Sequence, residues 1–283
     1  MINRHVFDHQ PLLSITETQM ANLGAFHVNG HLSLENMAFS APMSRIFRLN
    51  DVTHLSLIRC TFCIEPIEGQ NQETRQSTLR HLSIDGGTGL TCSVPPGVES
   101  VSIMNHSIYD MRFLRHVRSS VTLRHCTGAN MLDVATWIRS DTLILDNVEG
   151  SHQLSALQGV KKLELYNIEF QGIGPDVENL LCCKQMCTYA VGDRLKHLKL
   201  INVNCVNLQN VQLPKLETLI LSQGCQTTHV RNMPSLQVLI LKGASRVEEV
   251  ESLTVPSLHT IIAEEPIVPC APWITFVPIS DCL

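Results

Sequence analysis

Aromatic residues make up only 5% of this 283-residue chain, with two Trp and three Tyr among them. So few large rings do not suit a thick globular core, and they favour thin layers filled with Leu, Ile, Val and Cys. No apolar run approaches the roughly 18 residues a membrane-spanning helix needs. The first residues, MINRHVFDHQPLL, carry charge and polarity where a secretory leader has its apolar stretch. Basic excess is missing too, because the formal charge is −5 and the pI near 6.2, which argues against a dedicated nucleic-acid binder. Charge is nevertheless uneven. Met104 to Ser140 holds Arg112, Arg115, Arg118, Arg124 and Arg139 against Asp110 and Asp133, whereas Val247 to Glu265 holds five Glu and no Lys or Arg.

Cysteine is not scarce, but its eleven residues are an odd number at irregular positions. Buried, reduced thiols in a cytoplasmic protein fit this pattern better than a disulfide framework. The Asn105-His106-Ser107 sequon is then accidental. The pairs Cys60/Cys63 and Cys182-Cys183/Cys187 have spacings seen in metal and redox sites, yet Cys60 is claimed by a core position, and zinc needs four suitably spaced ligands. No metal or cofactor is expected, and no phosphate loop, HExxH or nucleophile elbow is present.

What the chain does have is a repeated phrase. PKLETLIL, PSLQVLIL and PSLHTIIA place Leu219, Leu239 and Ile261 20 and 22 residues apart, a period that signals one unit stacked on itself. Carried backwards, the phrase becomes L-x-x-L-x-L-x-x-(N/C)-x-L, with a clear match at Val52, Leu55, Leu57, Cys60 and Phe62. Further inward positions are Leu32, Leu82, Val101, Val121, Leu143, Leu163 and Leu198. Each L-x-L is a short strand with two residues inward and one outward.

On these residues, 28–263 resembles the leucine-rich repeat superfamily. The resemblance implies an α/β solenoid with a parallel concave sheet of about eleven short strands and mostly irregular or 3-10 convex segments. It also implies that exposed strand positions bind a protein. The family's ladder Asn is mostly absent, its place being taken by Met37, Cys60, Gly87, His106, Cys126, Val148, Ile168, Val203, Gly224 and Ala244. Residues 1–27 are expected to form an N-terminal cap and 264–283 a C-terminal cap, with Trp273, Ile274, Phe276 and Val277 as a lid over the last rung. Insertions are expected near 63–78 and 170–193. In the second, Pro175 suits the first turn of a helix, and Val177, Leu180, Leu181 and Cys187 lie near one helical face. Residues 130–138 read as another convex helix with Asn130 as its cap.

Stacked strands turn equivalent positions into columns. The outward column runs Ser33, Ser56, Ser83, Ser102, Thr122, Ile144, Glu164, Lys199, Ile220, Ile240, Ile262, polar at the front and apolar at the back. Two residues earlier stand His31, His54, His81 and again His197. A metal shared by three imidazoles lacks an accompanying carboxylate or thiol column, so these are read as exposed strand residues. The partner site is expected at Ile220, Ile240 and Ile262 with Val238 beside them, and Lys199, Glu164 and Tyr166 supplying polar rim and aromatic anchor. The alternative is that the tail around Trp273 and Phe276 covers the stripe, or that Ile is there for strand propensity alone.

The leading function is a non-enzymatic, cytoplasmic protein-binding module, acting in a host cytoplasm if it is a secreted effector. No nucleic acid, membrane or small-molecule substrate is expected. The competing readings are a parallel β-helix enzyme acting on a polysaccharide, distinguished by three strands per coil, and an effector or substrate-receptor subunit whose catalytic part lies on another chain.

Overall fold

The computed structural model describes residues 13–15, 30–39, 52–61, 77–88, 94–108, 111–128, 134–148, 154–168, 170, 172–184, 193–203, 208, 213–243, 245–265 and 271–282. Most of the expected N-terminal cap and the loop at 63–76, together with Cys63, Asn130 and Cys187, lie outside them. The chain divides into two compact units, Met1–Ser140 and Asp141–Leu283.

Each unit is a solenoid of parallel strands, like that of a leucine-rich repeat. In the first, five strands of five residues stack in register: β2 (His31–Glu35), β4 (His54–Ile58), β5 (His81–Asp85), β6 (Ser100–Met104) and β7 (Ser120–Arg124). The short strands β1 (Leu13–Ile15) and β3 (Met37–Phe39) pair separately, also in parallel. In the second unit the run is β8 (Thr142–Asp146), β9 (Lys162–Tyr166), β10 (Asn179–Cys183), β11 (His197–Ile201), β12 (Thr218–Ser222), β14 (Val238–Lys242), β16 (Thr260–Ala263) and β17 (Thr275–Pro278). A second small parallel pair, β13 (Gln226–Val230) with β15 (Arg246–Val250), lies on the return path.

Alternation explains the core. Leu55 and Leu57, Val101 and Ile103, Leu143 and Leu145, and Leu219 and Leu221 are buried, while the residues between and beside them are half-buried or exposed. Burying each Leu or Ile contributes about 1.5–3 kcal/mol. The return segments need no long helix, since coils this short span them with 3-10 turns at Met111–Leu114 and Leu154–Ala156. Among the described residues the single α-helix, α1 (Val134–Trp137), is one turn long, so the expected α/β character reduces to strands and turns.

Two strands exceed the eleven expected, and each corrects a reading. Residues 179–183 are not a surface helix but strand β10, paired with β9 on one side and β11 on the other. Pro175 sits second in a turn closed by the Val177 N–H on the Gly174 carbonyl at 3.3 Å. Pro214, Pro234 and Pro256 hold the same place before β12, β14 and β16, where Leu216, Leu236 and Leu258 donate to Leu213, Met233 and Val255. Proline's fixed φ suits that second turn position as well as it suits a helix start. PDVENLLC is thus a fourth copy of the proline phrase, with Cys182 in place of the final Leu. The tail supplies the other strand. Phe276 and Val277 do not fold across the last rung but continue it, with Val277 beside Ile262, and Trp273 is 55% exposed.

Where each strand ends, the chain turns through a left-handed residue. Asn36, Arg59, Asn105, His125, Asn147, Asn167, Lys184, Asn202 and Gln223 all have φ between 48° and 72°, and Gly86 and Gly243 complete the column. Asn and Gly tolerate that region best. The asparagines sought at the ladder position therefore stand one residue earlier. At the ladder itself a thiol fills the turn: Cys60 Sγ donates to the Leu34 carbonyl at 3.4 Å and Cys126 Sγ to the Ile103 carbonyl at 3.5 Å.

Two glycines with positive φ separate backbone strain from steric exclusion. A Cβ on Gly87 would lie 1.9 Å from the Cys60 carbonyl oxygen, whereas one on Gly224 meets nothing within 4 Å. Gly224→Ala should cost about 1–2 kcal/mol of backbone strain alone, and Gly87→Ala more than twice as much. Urea unfolding of both variants checks this, and equal losses would refute the close approach of coils at Gly87.

Candidate functional site

In unit 1 the open face of the sheet carries a groove of about 410 Å³ over β2 and β4–β7, lined by His31, His54, His81, Ser56, Ser83, Ser100, Ser102, Ser120 and Thr122 along with the inward Leu32, Leu55, Leu82 and Val101. The three imidazoles occupy one column because the strands pair His31 to His54 to His81. Their rings stack face to face, at 4.0 Å and 12° for the first pair and 4.2 Å and 26° for the second. Stacked rings hold their lone pairs in parallel planes instead of aiming them at a common point. Consistent with this, no group of three metal-ligating side chains occurs among the described residues.

Hydroxyls fix the rings. Ser100 Oγ lies 2.6 Å from His81 Nδ1 and Thr53 Oγ1 lies 3.0 Å from His54 Nδ1. Burial pushes His54 below the ordinary imidazole pKa, and the neighbouring His31 and His81 push it the same way. Outside the groove, burial also lowers His106, against the carbonyl of Ser107 to which its Nδ1–H donates, and lowers His116 together with Arg115 and Arg118.

In unit 2 the structure brings most of the expected partner residues together. Lys199, Ile220, Ile240 and Ile262 are consecutive in register and half-buried on the open face. Val238 lies in the adjacent column between Thr218 and Thr260. Glu164 is separated from Lys199 by Leu181 of β10, a column member the sequence reading missed. Its carboxylate is already engaged, accepting a hydrogen bond from Tyr166 Oη at 3.0 Å and pairing with Lys162 Nζ at 2.7 Å. Tyr166 itself stands at the far end of its strand, beside Asp146 and Cys183. The apolar run is longer than expected by Val277.

Cys60, Cys126, Cys182 and Cys225 are buried, and burial pushes Cys126 up to about 11 and raises Cys182 as well. Cys182 and Cys183 face opposite sides of β10, as neighbours in a strand must.

At the margin of the open face, just before the strands, charges alternate between coils. Lys161 pairs with Asp141 at 3.1 Å and Lys196 with Glu178 at 3.0 Å. The Lys196 hydrogen bond is the main reason the Glu178 carboxyl sits below its usual pKa.

No family model matches the chain, and no curated protein is similar to it in sequence. Among solved structures it resembles one described as the crystal structure of a TLR13–ssRNA13 complex, at 14% identity and a TM-score of 0.35, over 91% of this chain and 55% of that one. The chain therefore spans about half the length of that protein.

The lowered histidines set a pH dependence. A group with a depressed folded pKa is neutral in the fold while the unfolded chain already binds its proton, so its contribution is complete above about pH 6.5 and is lost as pH falls through the folded value. The melting temperature should therefore drop between about pH 7.5 and 5.5, above the window in which Glu178 titrates. His54→Asn should shrink that drop. Thermal scans in chloride buffers test this, and a flat melting temperature across the interval would contradict it.

Proposed function

We propose that this chain is a non-enzymatic interaction module of the leucine-rich repeat superfamily, whose open sheet face in unit 2 docks a protein partner. The observation that carries the reading is the in-register apolar run Ile220, Ile240, Ile262 and Val277. A continuous apolar stripe on a sheet face away from the core marks an interaction surface more often than scattered single residues do. The tail had been the alternative cover for this stripe. As β17 it lies alongside β16 and lengthens the stripe instead.

Lys199 at one end and Val238 at the side frame the run, and Glu164 and Tyr166, both on β9, form a polar, hydrogen-bonded margin three strands from Ile220. Interfaces commonly have such an apolar centre and polar rim. The main sheet takes one strand of four or five residues from each coil, and among the described residues the second ladders are confined to the pairs β1–β3 and β13–β15 and to isolated bridges. This favours a leucine-rich repeat over a three-stranded β-helix enzyme. The buried free thiols of Cys126, Cys182 and Cys225 favour a reducing, cytoplasmic setting.

Replacing Ile220 and Ile240 together by Ser changes no inward position. Stability should fall by no more than about 1 kcal/mol, as for changes outside the core, while recovery of the partner in affinity capture falls more than about tenfold, as expected at a hot spot. A folded double variant that captures the same partner equally well would refute the site.

A further inference from the structure

The groove of unit 1 is not used by the reading above, and its chemistry is different. Imidazoles and hydroxyls line it together with the inward Leu32, Leu55, Leu82 and Val101, and no Lys, Arg, Asp or Glu does among the described residues. At about 410 Å³ it falls within the range of small-molecule sites, roughly 300–1,000 Å³. We infer that this groove binds a small oxyanion, of the phosphate or sulfate type, as the stacked histidine column takes up protons.

The argument rests on the stack. Neutral imidazoles sit comfortably face to face at 4.0 and 4.2 Å, but protonation places like charges at that separation, and their repulsion opposes further uptake. An anion lying along the column relieves the repulsion, so proton uptake and anion binding favour each other reciprocally. With Nδ1 of His54 and of His81 engaged by Thr53 and Ser100, Nε2 is the nitrogen left to donate to a ligand oxygen. Ser56, Ser83 and Ser102 form the next outward column, two residues further along each strand and in register, and offer neutral O–H donors of the kind oxyanions accept.

The charged groups on the surrounding strands neither compete nor substitute. Glu35 pairs with Arg59, and Asp85 accepts from the Asn105 amide at 2.7 Å. These lie, with Arg124, at or just beyond the opposite ends of their strands. Arg80 and Glu99 pair with each other at 3.8 Å immediately before β5 and β6. None of them lines the groove, so the field there is set by the histidines. At neutral pH the site is uncharged and weak. As acid protonates the column, with His54 held below the ordinary imidazole value, it becomes a cationic trough with hydroxyl walls. This site is confined to unit 1 and the apolar stripe to unit 2, so either reading survives failure of the other.

The test uses the full chain. Histidine Cε1–H resonances are followed by NMR through a pH titration at fixed ionic strength, in chloride and then with millimolar sulfate, which stays a dianion throughout. Sulfate should raise the apparent pKa of His54 by about half a unit or more, leave His106 and His116 unmoved, and bind about tenfold more tightly near pH 5.5 than near pH 7.5. Ser56→Ala with Ser83→Ala keeps every charge and should weaken binding several-fold. His54→Asn, confirmed folded by circular dichroism, should reduce the pH dependence. An unmoved His54, an equal shift at His106 and His116, equal affinity at both pH values, or full binding in the serine variant would each overturn the proposal.

Discussion

At ten steps into a strand, one carbonyl of the previous coil accepts two successive N–H groups. The Gly30 carbonyl takes Thr53 and His54, Thr53 takes Arg80 and His81, and Arg80 takes Glu99 and Ser100. In the second unit Lys161 takes Glu178 and Asn179, and Glu178 takes Lys196 and His197. At the other end of the strand the left-handed residue donates forward, as Asn36 does to Ile58 and Asn147 to Tyr166, both at 2.9 Å. Strand registers are thereby clamped at both ends. A one-residue slip would exchange inward for outward side chains, so this clamp turns a sequence period into columns of aligned side chains.

The columns are what the open faces are made of. Polar and imidazole-bearing in unit 1, apolar in unit 2, they rest on the same inward Leu, Ile and Val scaffold, and the backbone ladder does not distinguish between them. Such a division leaves the outward positions free to vary without disturbing stability. It also explains why thiols are plentiful. Cys is small, apolar and a weak donor, so it can close the turn after a strand, as Cys60 and Cys126 do, or stand in for Leu within one, as Cys182 does.

Much of this was legible in the residues. The markers Leu32 through Ile261 all fall within strands, because period-two alternation with a tight repeat leaves little choice of face. β10 was missed because its coils are shorter than the 19 to 27 residues of the other steps from Leu32 to Ile261, placing Leu180 17 residues after Leu163 and 18 before Leu198, and because Pro175 fits a turn and a helix start equally. The asparagine column was sought one position late, although Asn36, Asn105, Asn147, Asn167 and Asn202 share a fixed offset from their L-x-L cores. Of the sites, the histidine column could be read from spacing, but the ring stacking and the groove above it could not. They depend on rotamers and on hydroxyls such as Ser100 that belong to other coils.

The most direct measurement of the whole account is amide hydrogen exchange across residues 179–183. If β10 is a rung clamped between β9 and β11, the amides of its inward residues Leu180 and Cys182 exchange as slowly as those of Leu163 and Leu200 and open with them in one cooperative unit. Exchange at the rate of a solvated loop, while Leu163 and Leu200 stay protected, would show that 170–193 is an insertion after all and that the continuous columns of unit 2 do not exist.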